Sequence, residues 1–468
     1  MAERRIAGID LGIASAHTVV VLTGDGREVC RRKCVPTAES LGWIEQQALQ
    51  GAPEGARLEI VLEPTGPAWL APVVFFGRRG HACYRVSSQK ASDLRRFLSR
   101  HAKSNSIDAE TLARLAIVAP ETLLPIELPG ANRASLDRRV RACDRLTNEA
   151  TNHKVRIKDL VRQLLPITPL TGDLGKADLA VLERWADPNV LLKVGKARLT
   201  AVIAKTSNNH LGADRAEEWL AAARISVELY GGDSAVAFTD LAAEVATEVR
   251  LLRAIGRELD DHAEVREVAY RNVDPWELAR SLPGLGEVGG PVLVAVMGRS
   301  QRFARGGQFK SFTGLVPRSS ETGDSERKGQ PMSKAGSSML RSQLVRSAEH
   351  ARHQDPQLAQ IYFTQMVERG ATHTKAVCVV AAHLAERAWA TMVRGTPYVV
   401  RDTDGRAVTE TEAKAIIAQH FTVPEEVRRR RRNTKKGKVP HQVLVGHVSG
   451  QRSRRDNEAA FPSRILGS

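Results

Sequence analysis

The sequence predicts an α/β amino-terminal domain with a mixed sheet, then a long helical, coiled-coil-like segment, then a mainly α-helical carboxy-terminal unit. Three observations carry this. Three short β-runs open the chain, the second and third joined by Gly24-Asp25-Gly26, a tight-turn signal. Helical and strand patterns then alternate as far as Val86. From position 131 onward apolar residues recur at steps of three, four and seven.

The elements follow in order. Arg5–Leu11 is an apolar strand that ends at Asp10, His17–Thr23 is rich in Val and Leu, and Glu28–Val35 follows the turn. A helix is expected at Ser40–Gln50, a strand at Arg57–Leu62, a helix at Ala68–Gly77, a strand at Ala82–Val86, and a long helix opening near Asn105. Leu136, Val140, Cys143, Ala150, Ile157, Leu160 and Leu164 form one amphipathic stripe; Leu241, Val245, Leu252, Ile255 and Leu259 form a second. These two helices are expected to pair within the chain or across a dimer. The stretch between them reads as mostly helical. The expected divisions are 1–125, 126–275, 276–400 and a basic, partly disordered tail at 401–468.

With 468 residues and 42% hydrophobic content, the chain is long enough for two or three cores. Lys plus Arg outnumber Asp plus Glu by 69 to 53, a net charge of +16, which favours a polyanionic partner. Five scattered cysteines lack the spacing of a zinc site and are expected to be reduced thiols of a cytoplasmic protein. No signal peptide and no membrane-spanning run is expected.

Acidic residues mark the first constellation. Asp10 ends the first strand, Glu63 ends another, and Asp108 lies where the long helix begins. Carboxylates at strand ends and a helix start can converge on one rim of a sheet, where hard cations such as Mg²⁺ take oxygen ligands and keep positions open for phosphate. Singly, Asp10 reads equally as a turn cap, Glu63 as a surface charge and Asp108 as a helix N-cap. Their combination in ribonuclease-H-like strand order favours a metal site.

Hydroxyls mark the second. Leu282-Pro-Gly-Leu-Gly286 has the form of a helix-hairpin-helix turn, whose backbone N–H groups can hold a DNA phosphate. Further on, Thr322 and Ser325 sit in a polar loop among Arg318 and Lys334. A hydroxyl beside cations can bind a phosphate or attack it; a flexible polar loop is the plain alternative. Arg428, Arg429, Arg430, Arg431 and Arg432 form an unbroken basic run, expected to be disordered alone and to grip phosphates.

Together these pieces resemble the DEDD transposases of bacterial insertion sequences of the IS110/IS116/IS902 type. The resemblance covers about 5–120 and 275–400. It rests on Gly-Ile-Asp10, Glu63-x-Thr-Gly66, the segment from Lys103 to Ala113, Leu282-Pro-Gly-Leu-Gly286, Arg302-Phe303, Gly314-Leu-Val-Pro317, Glu321-Thr-Gly323 and Met332-Ser-Lys-Ala-Gly336. It implies a RuvC-like ribonuclease-H-fold domain, a coiled-coil linker and a carboxy-terminal transposase domain whose hydroxyl joins covalently to DNA. It also implies double-stranded donor and target DNA, a structured noncoding guide RNA, a homo-oligomer, and a bacterial cytoplasmic, nucleoid-associated setting. The family's acids fall on Asp10, Glu63, position 105 and Asp108, as ligands of Mg²⁺ or Mn²⁺. Position 105 is Asn here, which keeps a carbonyl oxygen but removes one charge. The family's serine nucleophile falls on Thr322, with Ser325 as its rival. Arg318, Lys334 and Arg341 are candidate phosphate clamps, each also readable as a solvated charge, and Lys103 is better placed, beside the carboxylate helix. A RuvC-like junction resolvase that uses water as nucleophile, or a decayed nucleic-acid-binding protein, remains the alternative.

Overall fold

The computed structural model describes residues 4–53, 55–64, 66–98, 104–170, 172–231, 236–318, 321–322, 325–326 and 330–431, with side chains for all but position 98 and the four residues at 321–322 and 325–326. Lys103 and Arg432 lie outside the described residues. Two compact units emerge: residues 1–277 with 290–299, and residues 278–289 with 300–468.

Unit one opens with β1 (Arg5–Asp10), β2 (His17–Thr23) and β3 (Glu28–Cys34), then α1 (Ala38–Leu49), β4 (Leu58–Leu62), α2 (Leu70–Arg78), β5 (Ala82–Arg85), α3 (Ser88–Leu98), α4 (Asn105–Val118) and a short β6 (Leu124–Pro125). The sheet order is β3-β2-β1-β4-β5-β6. Strands β1, β2 and β3 are antiparallel neighbours, β1, β4 and β5 run parallel, and β6 returns antiparallel. The expected α/β domain with a mixed sheet is therefore present.

Strand alternation divides its core in two. Ala7, Ile9, Val19, Val21, Ile60 and Leu62 pack with Leu41, Ile44, Val73 and Phe76 of α1 and α2. Ile6, Val20, Leu22 and Val61 pack with Ala109, Leu112, Ala113 and Ala116 of α4. Both faces are covered, so β1, β2 and β4 read as continuous apolar runs rather than alternating ones.

The rest of unit one is helical. α5 (Ala131–Leu164) runs 34 residues and packs within the chain against α10 (Phe238–Arg271), also 34 residues. Between them in sequence lie α6 (Lys176–Trp185), α7 (Pro188–Val194), α8 (Lys196–Thr206) and α9 (Ala213–Tyr230). Ile157, Leu160, Val161 and Leu164 share one core with Val245, Val249, Leu252, Trp219 and Phe238. Glu248 crosses that seam, accepting from His153 at 2.5 Å and Arg156 at 3.0 Å. Burial opposes its ionisation, but these hydrogen bonds outweigh it and hold the carboxyl below the usual carboxylate range. The segment α11 (Gly289–Met297) closes this stretch of the chain.

Unit two contains α12 (Gly306–Thr313), the strand pair β7 (Glu321–Thr322) and β8 (Ser325–Glu326), α13 (Ser338–Ala351), α14 (Pro356–Phe363), α15 (His373–Arg394), α16 (Glu410–His420) and α17 (Glu425–Arg430). A five-residue π-helical segment, Thr364–Glu368, follows α14. α15 is long and apolar enough, by length and composition alone, to cross a membrane, which the sequence reading did not anticipate. Its Ala376, Val380, Ala381, Leu384 and Ala388 are fully buried in unit two, and Glu386 pairs with Lys310 at 2.6 Å.

Within the tail expected at 401–468, the described residues as far as Arg431 are folded. Thr409 and Glu412 form a capping box that starts α16, and Ala413 and Val423 are buried. Arg428, Arg429 and Arg430 lie in the last turn of α17, preceded by Glu425 and Glu426 in its first turn, a distribution the helix dipole favours. The Arg431 carbonyl accepts from the His373 N–H at 3.3 Å, so the start of the basic run is tied to the folded unit.

Candidate functional site

Asp10 is the last residue of β1, and Glu63 directly follows β4. The parallel register pairs Ile9 with Leu62, so one further step sets Asp10 beside Glu63 at the carboxyl ends of neighbouring strands. Adjacent strands lie about 4.8 Å apart. Parity gives the face: Asp10 falls two residues after Gly8, and Glu63 two after Val61, both on the α4 side. A Cβ on Gly8 would lie 2.0 Å from the Ala109 carbonyl oxygen and 2.6 Å from the Ala113 nitrogen, so only glycine admits α4 this close to β1.

Ser104 caps α4, its side chain accepting from the Ile107 N–H at 3.2 Å. The N-cap role is therefore taken by Ser104, and Asp108 can serve another. The stripe of α4 that faces the sheet is Ala109, Leu112, Ala113 and Ala116. Asn105 and Asp108, four residues before Ala109 and Leu112, extend that stripe toward the helix start. Asn105 is exposed and Asp108 half-buried. The Asp108 carboxylate accepts from Arg95 of α3 at 3.1 Å. Glu110 turns elsewhere: it accepts from Arg31 at 2.8 Å and Arg114 at 2.9 Å, and these bonds overcome burial to keep its pKa lowered.

The structure thus brings Asp10 and Glu63 to one edge and sets Asp108 and Asn105 on the helix that crosses the same face. Among the described residues, no group of three or more His, Cys, Asp or Glu stands at metal-holding distance. Like charges repel without a cation between them, and here Arg95 neutralises Asp108. The donor set itself suits a hard cation, being all oxygen. A second feature suits it too. Thr18, opposite Asp10 in the β1–β2 register, carries a buried hydroxyl with no hydrogen-bond partner. Sequence reasoning passed over Thr18, because only the register places it beside Asp10.

In unit two, Gly284 adopts φ +75° within the Pro-Gly-Leu-Gly turn, and a Cβ there would lie 2.2 Å from the Ser347 carbonyl oxygen. Gln354 accepts from the Gly284 N–H at 3.0 Å. The turn is therefore seated on α13. The described parts of the loop after α12 pair with one another in antiparallel fashion. Arg318 N–H donates to Pro331, Ser333 N–H to Val316 and Lys334 N–H to Gly314, at 2.9, 2.8 and 3.2 Å. Thr322 and Ser325 are directly opposed in the β7–β8 register. Arg341 donates to the carbonyls of Thr313 and Lys334, at 3.4 and 3.2 Å, so this candidate clamp holds backbone. Lys334 and Arg318 are exposed, and Lys334 has φ +55°. All five cysteines carry free thiols, and burial pushes Cys34 and Cys83 up to about 11.

Comparison with known proteins gives the same two segments. Residues 7–166 match a transposase model of the IS110 DEDD type, and residues 277–363 match that of the Transposase IS116/IS110/IS902 family. The chain is 25% identical over 403 residues to the insertion element IS110 uncharacterized 43.6 kDa protein of Streptomyces coelicolor, spanning 84% of this chain and 95% of that one. It is 25% identical over 405 residues to the insertion element IS116 uncharacterized 44.8 kDa protein of Streptomyces clavuligerus, spanning 83% and 94%. Two models in the expected order, with similarity along nearly the whole length of both relatives, place this chain in the IS116/IS110/IS902 transposase family.

Proposed function

We propose that the chain is a metal-dependent DNA transposase whose catalytic domain has the ribonuclease-H-like, RuvC-like fold. The observation that carries this reading is the parallel register of β1 and β4, which ends with Ile9 opposite Leu62 and so leaves Asp10 and Glu63 at the carboxyl ends of adjacent strands, on the sheet that α4 crosses. The strand order β3-β2-β1-β4-β5, with the first three antiparallel and the rest parallel, supports the fold assignment.

Asp10, Glu63 and Asp108 would hold Mg²⁺ or Mn²⁺, with Asn105 as an auxiliary oxygen donor; Arg95, which pairs with Asp108 at 3.1 Å, would compete with the ion for that carboxylate. A divalent ion supplies neutralisation of phosphate charge and orients the scissile group. The Thr322 hydroxyl attacks phosphorus, losing its proton as the new ester bond forms and the deoxyribose oxygen departs. Lys103, Arg318, Lys334 and the run Arg428 to Arg432 contact phosphates. The partners are donor and target duplex DNA, a structured noncoding guide RNA, and further copies of the chain, in a nucleoid-associated bacterial setting.

A suicide DNA substrate tests the nucleophile. The wild type is expected to form a covalent protein–DNA adduct in Mg²⁺, and Thr322→Ala to form none, with loss of strand exchange by at least about 10³-fold. A normal Thr322→Ala alongside an inert Ser325→Ala would move the role to Ser325. Cleavage without any adduct would identify a RuvC-like nuclease that uses water.

A further inference from the structure

Thr18 is the polar exception on its face of β2. Val20 and Leu22, the other residues on its face of the strand, belong to the apolar core beneath α4. Thr18 itself is 4% exposed, and its Oγ1 is fully buried without a hydrogen-bond partner. A buried hydroxyl left unsatisfied is costly, and valine would fill the same volume at no such cost. On this face the strand therefore carries a group that the folded chain alone does not use; His17 Nε2, also buried without a partner, belongs to the opposite face.

Its position says what could use it. Thr18 is the cross-strand partner of Asp10. Directly opposed residues of an antiparallel pair present their side chains on one face with Cβ atoms about 5 Å apart. Thr18, Asp10 and Glu63 thus share the α4 face of three neighbouring strands, β2, β1 and β4. Mg²⁺ and Mn²⁺ at carboxylate sites retain several bound waters, and each such water seeks an acceptor.

We infer that Thr18 is a positioning residue of the cation site, its hydroxyl hydrogen-bonding the hydration shell of a divalent ion held by Asp10 and Glu63. The inference rests on the metal reading of those two acids. It adds a group on the β2 side that carries no charge, on a site where Asn105 has already removed one.

The test is Thr18→Val in the full chain, read by thermal unfolding with and without Mn²⁺ and by calorimetric Mn²⁺ titration, with Asp10→Asn as control. Without metal, Thr18→Val is expected to melt at or above the wild-type temperature, because the orphan hydroxyl is gone. With Mn²⁺, the wild type gains stability by mass action, and the variant gains less, its affinity falling about 10-fold. Thr18→Ser, which keeps the hydroxyl, is expected to recover most of the affinity. If wild type and Thr18→Val bind Mn²⁺ equally while Asp10→Asn does not bind, the role of Thr18 is refuted and the metal site stands. If the wild type binds no Mn²⁺, both fall together.

Discussion

Asp108 shows how a single side chain can hold two meanings. In the sequence it could cap a helix or bind a metal. In the structure Ser104 does the capping, and Asp108 accepts from Arg95. The guanidinium stands where a cation would compete for the same carboxylate. Removing it should therefore help the metal. Arg95→Gln is expected to tighten Mn²⁺ binding a few-fold, measured by titration calorimetry; weaker binding would show that Arg95 supports the site instead. The acids at positions 10, 63 and 108 were legible because each sits at a recognisable boundary of strand or helix. Thr18 was not, because its meaning depends on cross-strand register, which no local pattern reveals. Nor could the sequence separate Thr322 from Ser325: the register sets them opposite one another.

At the scale of elements, periodicity was a faithful guide wherever burial was strong. The strands β1 to β5 fall within one or two residues of their expected bounds; β1, β2 and β4, buried on both faces, leave a nearly uninterrupted apolar record, whereas the exposed β3 was legible from the Gly24-Asp25-Gly26 turn before it. α3 was missed because its apolar residues are sparse among Arg95, Arg96, Lys90 and Asp93. The pairing of α5 with α10 was one of two arrangements left open, and it forms within the chain. Its polar lock makes a prediction. Glu248→Ala leaves His153 and Arg156 without their shared carboxylate and is expected to cost on the order of 3 kcal/mol, read as a lower denaturant midpoint. The sign of the pH effect follows from the lowered pKa. The contribution of Glu248 is present above the unfolded carboxylate pKa and is lost as pH falls through the lower folded value. Wild type and Glu248→Ala should therefore converge in stability toward acid. A constant gap down to that range would show that the seam bond does not stabilise the pair. The helix α17 was also unforeseen: a run of arginines reads as self-repelling, but here Glu425 and Glu426 open the helix and the His373 N–H ties down its end.

For the whole molecule, charge and catalytic chemistry separate. The net charge of +16 predicts affinity for phosphates without choosing among nucleic acids. Replacing Arg428, Arg429 and Arg430 by Gln is expected to lower DNA affinity with little sequence dependence. It should also flatten the salt dependence by about 0.9 log units per log salt for each phosphate no longer neutralised, measured by binding assays across a salt series. An unchanged salt slope would remove α17 from the DNA interface. In the proposed mechanism, strand cleavage depends instead on two acids, Asp10 and Glu63, at the carboxyl ends of the parallel neighbours β1 and β4. The direct measurement is calorimetric titration of Mn²⁺ into the full chain and into Asp10→Asn, Glu63→Gln and Glu110→Gln. The first two variants are predicted to lose binding while Glu110→Gln, which alters an acid of α4 turned toward Arg31 and Arg114, keeps it. Binding that survives in the Asp10 and Glu63 variants, or disappears only with Glu110, would contradict the pairing of Asp10 and Glu63 around a metal.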